Sequence, residues 1–194
     1  DGLFTRWPKP QFAFSLHDTG NLPSNQVAWT EGYAFANVDS VDITLHGKGG
    51  HGARPNTTVD PIVLAARTIL ALQTLVSREK DPMEPGVVTV GSIHAGTKHN
   101  IISDEAKLQL TVRSYAPEVR KQLLAGIVRI VKAEALAAGA PREPEIRFSE
   151  GQDALYNDPT LTRRVVKALT AGLGAERVAP TRAEMGAEDF GEFG

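Results

Sequence analysis

VDSVDITLHGKGGHGARP, residues 38–55, decides the architecture. Val41, Ile43 and Leu45 alternate with Asp42, Thr44 and His46, the period-two pattern of a strand with one buried and one wet face. The run GKGGHG then breaks that pattern. Asp60 before Pro61 suits an N-cap and first helical position, and Ile62, Ala66, Ile69, Leu72 and Val76 form an apolar stripe at spacings of three and four. A helix is expected from Pro61 to Arg78. A turn through Asp81, Pro82, Pro85 and Gly86 leads into VVTVGSIHA, a β-branched run ended by Gly96. Leu108, Leu110 and Val112 then oppose Lys107, Gln109, Thr111 and Arg113 across a third strand.

Pro117 and Glu118 open a second helix whose buried stripe is Val119, Leu123, Ile127, Ile130 and Val131, with Gly139 as its stop. A last strand is expected near Glu145 to Phe148. The order strand, helix, strand, strand, helix, strand is the ferredoxin-like split βαβ pattern, an α/β (α+β) sandwich of a four-stranded antiparallel sheet and two helices over residues 38–149. The flanks do not belong to it. QFAFSLHD reads as one isolated strand, and the segment from Pro159 to Leu173, after NDP, as one isolated helix. Neither buries its apolar face alone, so the sandwich is expected to be inserted in a second, partial α/β domain made of residues 1–37 and 150–194.

Composition narrows the function. With 41% hydrophobic and 23% charged residues the chain is ordinary globular material. Its 21 basic and 23 acidic residues are spread out, with no basic block for a phosphate backbone, so nucleic acid is not an expected partner. No apolar run approaches the roughly 20 residues that cross a bilayer, and DGLFTRWPKP lacks a signal-peptide layout; no membrane partner is expected. Without cysteine there is no disulfide framework and no thiolate metal site, so any metal must use His or carboxylate ligands. A cytoplasmic setting is the expectation.

Five histidines are available. His17 would end the QFAFSLHD strand, where a His can serve as metal ligand or acid/base group, although a lone His is more commonly a structural hydrogen-bonding residue. His51 sits in GGHGARP, where glycines at 49, 50 and 52 open conformations closed to other residues and let a ligand approach the backbone; an exposed His in a Gly-rich hairpin is the competing explanation. His46 and His51, like His94 and His99, are five apart, which puts neither pair on one helical face and excludes a two-His zinc helix. His46 and His94 read as ordinary strand residues. Arg113 could clasp a carboxylate in bidentate fashion, or be an exposed strand arginine.

DGLF with the later SLH, GKGGHGARPNTTVDP, VGSIHAGTKHNIISDEA, LTVRSY and MGAEDF together resemble, in order and spacing, the metal-dependent amidohydrolase family of aminoacylases, hippurate hydrolases and auxin-conjugate hydrolases. That family is related to dinuclear-metal carboxypeptidases and dipeptidases. The resemblance implies two divalent metal ions (Mn, Zn, Co or Ni) and hydrolysis of a small N-acylated amino acid by a metal-activated water with a Glu as general base. It further implies His17 as a metal ligand, His51 as a lid histidine reaching the partner subunit's active site to hydrogen-bond the oxyanion, Asn100 as a substrate-binding residue and Glu188 in a motif bordering the metal pocket. The family's Cys-Gly-His-Asp segment and Glu pair would precede Asp1 and a further His would follow Gly194, so the chain by itself is expected to be an inactive fragment. Ser103, where many relatives have Pro, and His99 depart from the pattern and bear on substrate preference. The alternative is a non-enzymatic ferredoxin-like dimerisation or ligand-binding module, which would have no need of SLHD or MGAEDF. A homodimer is expected through the lid, along the edge strand VVTVGSIHA beside the helix from Pro61, with Val87, Val88, Val90 and Ile93 exposed.

Overall fold

Alternation along residues 41–45 does what the sequence demands: Val41, Ile43 and Leu45 are buried while Asp42 is exposed and Thr44 half-buried. The computed structural model describes residues 2–193. In chain order its elements are α1 (Leu3–Arg6), β1 (Val27–Trp29), β2 (Gly32–Phe35), β3 (Asn37–His46), β4 (Gly50–His51), α2 (Pro61–Thr74), β5 (Gly86–Ala95), β6 (Ile101–Ile102), β7 (Glu105–Ser114), α3 (Pro117–Ala137), β8 (Glu145–Gln152), β9 (Leu155–Asn157), α4 (Pro159–Leu173) and β10 (Val178–Pro180). The main sheet has the order β5-β7-β3-β8, antiparallel throughout. With α2 and α3 it is the ferredoxin-like sandwich expected from the sequence.

Register explains the core. Val41 lies opposite Leu110, Ile43 opposite Leu108 and Leu45 opposite Ala106; directly opposed residues share a face of the sheet, and all six are buried. Val119, Leu123, Ile127, Ile130 and Val131 of α3 cover them, the stripe its periodicity gives. Gly139, at φ +67°, ends that helix, and Ala140 N–H closes onto Ala135 O at 3.0 Å.

The phase of α2 differs from expectation. Asp60 does cap it, its Oδ1 accepting from Ile62 N at 2.8 Å, but the buried residues are Pro61, Leu64, Ala65, Thr68, Leu72 and Leu75, while Ile62 and Ala66 are exposed and Ile69 and Val76 only half-buried. This helix carries apolar residues on most of its circumference, so periodicity alone does not fix the inward face. Thr68, 0% exposed, disguised it; its hydroxyl donates to Leu64 O at 2.9 Å and so needs no water. A π-helical turn, Leu75–Glu79, continues α2. Pro61–Glu79 is long and apolar enough to cross a membrane by length and composition, yet one face of it forms the core of the sandwich.

QFAFSLHD is not a strand. Residues 11–18 are exposed and carry no ladder among the described residues, because a strand exists only against a partner. The flank instead forms short pairs: β1 parallel to β10, and β2 antiparallel to β9. α4 begins where NDP predicts, with Asp158 Oδ1 accepting from Leu161 N at 2.7 Å, and has no fully buried residue.

Arg120 of α3 fastens the sandwich at both places where the chain passes to the flank. Its guanidinium forks onto Asp39, with Nε and Nη2 each 2.8 Å from a carboxylate oxygen, and its Nη1 reaches Asp153 at 2.6 Å. Asp39 is buried, and so are Asn37, which donates to it at 3.2 Å, and Ser114, whose N–H and hydroxyl both donate to Asn37 Oδ1 at 2.7 Å. The hydrogen bond to Asp39 raises the Arg120 pKa above its ordinary value, so the cation is permanent. Arg120→Met strands a buried carboxylate and is expected to cost about 3–5 kcal/mol. Arg129→Met, which breaks the exposed pair with Glu79, is expected to cost at most about 1 kcal/mol. Urea denaturation of the two variants measures the difference, and equal midpoints would refute the special role of the Asp39 fork.

Candidate functional site

The loop after β3 is built by close backbone approach. A Cβ on Gly47 would stand 2.4 Å from Val59 O, and one on Gly49 would stand 2.7 Å from Ile102 O. None of Gly47, Gly49, Gly50 or Gly52 has positive φ, so these glycines are required for space rather than for left-handed backbone: Gly49 and Gly52 admit β6 and its neighbours, and Gly47 and Gly50 admit the segment Thr58 to Pro61. Gly47 N donates to Asp104 O at 2.7 Å and Gly49 N to Asp104 Oδ1 at 2.8 Å. Gly50 then pairs with Ile102 and His51 with Ile101, and Gly52 N donates to Asn100 O at 2.8 Å. This ladder continues that of β3 with β7, whose last pair is His46 with Glu105.

His51 and Asn100 thereby lie in one short ladder, His51 opposite Ile101 and Asn100 bonded to Gly52, and both are exposed. Ala53 N–H donates to His51 Nδ1 at 3.1 Å. An amide N–H can only donate, so Nδ1 carries the lone pair and the proton of the neutral ring sits on Nε2. The exposed ring thus presents a neutral N–H donor.

His17 occupies the other end of the sandwich. Its ring stacks on Phe35 with centroids 5.8 Å apart, and Nε2 lies 3.4 Å from Glu188 Oε2. Nδ1 lies 2.6 Å from Asp18 O; a carbonyl only accepts, so this nitrogen holds the proton and Nε2 keeps its lone pair in the neutral ring. The Asp18 carbonyl is the main cause raising the His17 pKa above its ordinary 6.5, opposed by desolvation and supported by the carboxylates of Glu188, Asp18 and Glu184. Glu188 is fixed in turn by Phe190 N, which donates to Oε1 at 3.2 Å. The segment around it lies along β2: Glu184 N donates to Ala34 O at 2.9 Å and Ala36 N to Gly186 O at 2.8 Å.

Among the described residues, Arg113 clasps no carboxylate of its own chain. Its Nη1 donates to Met185 O at 3.1 Å, tying β7 to the segment that carries Glu188. His46 is less ordinary than its strand position suggests: 3% exposed, with Arg142 Nη2 2.9 Å from its Nδ1 and Glu145 Oε1 3.3 Å from its Nε2, without hydrogen-bond alignment in the latter case. It closes the far end of β3 against β8. Sequence reasoning missed Asp104 and Glu184, because what each touches lies far along the chain and no local spacing announces it.

His17 and Glu188 are donors of the kind that hold a divalent ion, and an Nδ1 bonded to a carbonyl is the arrangement that turns Nε2 towards a metal. Among the described residues, no group of three or more His, Cys, Asp or Glu gathers for one, so the fit is to one side of a metal site. His51 is not part of it. The ten residues of β3, at about 3.3 Å each, hold the Phe35 end and the His46 end roughly 30 Å apart, and the β4–β6 ladder carries His51 further still.

The sequence pattern of the family described as a peptidase dimerisation domain matches residues 33–138. Thermostable carboxypeptidase 2 of Saccharolobus solfataricus is 36% identical over 183 residues, covering 94% of this chain and 45% of the relative. N-acetyldiaminopimelate deacetylase of Priestia megaterium is 36% identical over 182 residues, covering 94% and 48%. The YXEP protein of Bacillus subtilis, described as a dinuclear metal binding peptidase from the M20 family, superposes with a TM-score of 0.70 at 26% identity, covering 91% of this chain and 43% of that one. The chain spans about half the length of the curated relatives it matches.

The tautomer of His51 is directly measurable. Nitrogen-15 shifts of the neutral ring are expected to report a protonated Nε2 and an unprotonated Nδ1. A protonated Nδ1 would remove the donor from the exposed side of the ring.

Proposed function

The chain belongs to the M20 family of metal-dependent peptidases and amidohydrolases and carries its dimerisation domain, and from that premise we propose that it is the lid and adjoining metal-site segment of an enzyme that hydrolyses the amide bond of N-acyl amino acids. One observation carries the proposal: a neutral N–H donor on His51, in one ladder with Asn100, sits about 30 Å or more from the His17–Glu188 pair at the other end of β3. Groups that far apart cannot address one carbonyl within a single chain. In a dimer, His51 of one subunit serves the His17 side of the other.

In this reading His17 and Glu188 hold divalent metal, with manganese, zinc, cobalt and nickel all suited to nitrogen and carboxylate donors. When bound, the metal polarises the carbonyl and makes water a stronger nucleophile. His51 Nε2–H donates to the oxyanion as charge develops on the former carbonyl oxygen. The locked tautomer means that no ring reorientation is needed at that moment. Asn100 and Arg113 bind the substrate, and Arg113 also holds the Glu188 segment through Met185 O. A hippurate-like acyl amino acid is our choice of substrate. The matched relatives, a carboxypeptidase and a deacetylase, are named for other cleavages of an amide on an amino acid. A free-standing binding module would leave the contacts of His17 and Arg113 with the C-terminal segment without a purpose.

The dimer contact we propose uses the β5 edge and the outward face of α2. Val88 and Val90 do not supply its apolar surface, because they turn into the sandwich and pack on its core. A bulge between Val90 and Ser92 shifts the phase of the strand and leaves Ile93 47% exposed. Ile62, Val63 and Leu70, the last 72% exposed, add the uncovered stripe of α2. A two-fold mate laid along this edge covers the stripe and pairs the free backbone groups of β5.

In the full-length enzyme, His51→Ala is expected to lower kcat by roughly a hundredfold or more with KM and metal content little changed, assayed on N-acetyl and N-benzoyl amino acids with added manganese or zinc. The 194-residue chain is expected to give only background turnover in that assay. Loss of metal on His51→Ala would make the residue a ligand and refute the oxyanion role. For the contact, sedimentation is expected to show Leu70→Glu as a monomer where the unmodified protein is a dimer; Leu70→Glu remaining dimeric would exclude this face.

A further inference from the structure

We infer that Asp104 is the positioning residue of the lid histidine, setting the reactivity of His51 without touching substrate; this rests on the reading of His51 given above. Four of the six residues from Gly47 to Gly52 are glycine. Such a run loses more backbone freedom on ordering than any other, and its only side chains are those of Lys48 and His51. Its order has to be imposed from outside. Asp104 imposes much of it, accepting from Gly47 N through its carbonyl and from Gly49 N through its carboxylate, at 2.7 and 2.8 Å.

The second bond is the unusual one. An exposed carboxylate that receives a backbone N–H makes a charge-assisted bond, stronger than the neutral bonds of the ladder it adjoins. Among the described residues no cation forms a salt bridge with Asp104. The approach is close enough that a Cβ on Gly49 would stand 2.9 Å from Asp104 Oδ1, so the glycine and the carboxylate fit each other. One and two residues further on, Gly50 and His51 enter the pairing with Ile102 and Ile101. The position of the imidazole therefore follows from a loop that Asp104 anchors at its root. Orientation of a donor is worth a great deal in turnover, since a misplacement of about 1 Å can cost on the order of a hundredfold.

The test is a double-mutant cycle in the full-length, metal-loaded enzyme. Asp104→Ala is expected to lower kcat about tenfold or more, with KM, metal content and dimerisation unchanged. Asp104→Asn, which retains an acceptor oxygen, is expected to recover most of that loss. In the His51→Ala background Asp104→Ala is expected to change kcat by less than about twofold, because a residue that acts only through His51 has nothing left to position. A merely structural Asp104 would instead lower kcat by the same factor in both backgrounds, and that result overturns the inference. So does full turnover of Asp104→Ala where His51→Ala is impaired. Full turnover of His51→Ala itself fails the reading of the lid histidine, and the role of Asp104 falls with it.

Discussion

Strand β3 is the constraint on which the rest depends. It is hydrogen-bonded on both sides, to β7 over its whole length and to β8 over most of it, and its inward residues are the centre of the core. A doubly paired, core-bearing strand is a stiff element. Whatever is attached to its two ends is held at a fixed separation, and what is attached is a histidine at each. One is stacked on Phe35 and faces a carboxylate; the other presents a neutral donor at the end of a continued ladder. The sandwich is a spacer as much as a scaffold, and its length is the reason a second copy is required by the chemistry we propose.

Polar groups secure both ends of that spacer, by different means. Near Asn37 the means is a buried network, with Arg120 forked onto Asp39 and Asn37 satisfying Ser114. A buried ion pair of this kind adds little net stability over an apolar filling, and its better-attested use is to specify one arrangement over others. Here it specifies how the flank leaves the sandwich. Near His46 the fastening is looser, with Arg142 and Glu145 around the ring, and the exposed loop beyond is fixed almost wholly by backbone bonds and one carboxylate.

The same division between covered and uncovered surface explains the apolar edge. The core takes Val88 and Val90 from β5 and Leu64, Leu72 and Leu75 from α2. What it does not take, Ile62, Val63, Leu70 and Ile93, lies on the outer side of the helix and at the bulged end of the edge strand. These are large side chains on neighbouring elements of a sandwich whose own core is already full.

By itself the sequence determined the order and kind of the elements of the sandwich, the α3 face, and the caps at Asp60 and Asp158. These rest on local chemistry: period-two alternation in residues 41–46, period-3.6 spacing from Val119 to Val131, and side chains that bond the next few amides. The motifs also pointed to the family. Only the tertiary structure decided the inward face of α2, where apolar residues surround the helix and a threonine takes a core position. It also decided that QFAFSLHD finds no ladder, that Val88 and Val90 turn inward, that the loop glycines serve close packing, and that Asp104, 55 residues from Gly49 in the chain, holds the loop of His51. Each of these depends on which distant segment arrives alongside, and a contact made across the sheet leaves no periodic trace in the residues that make it.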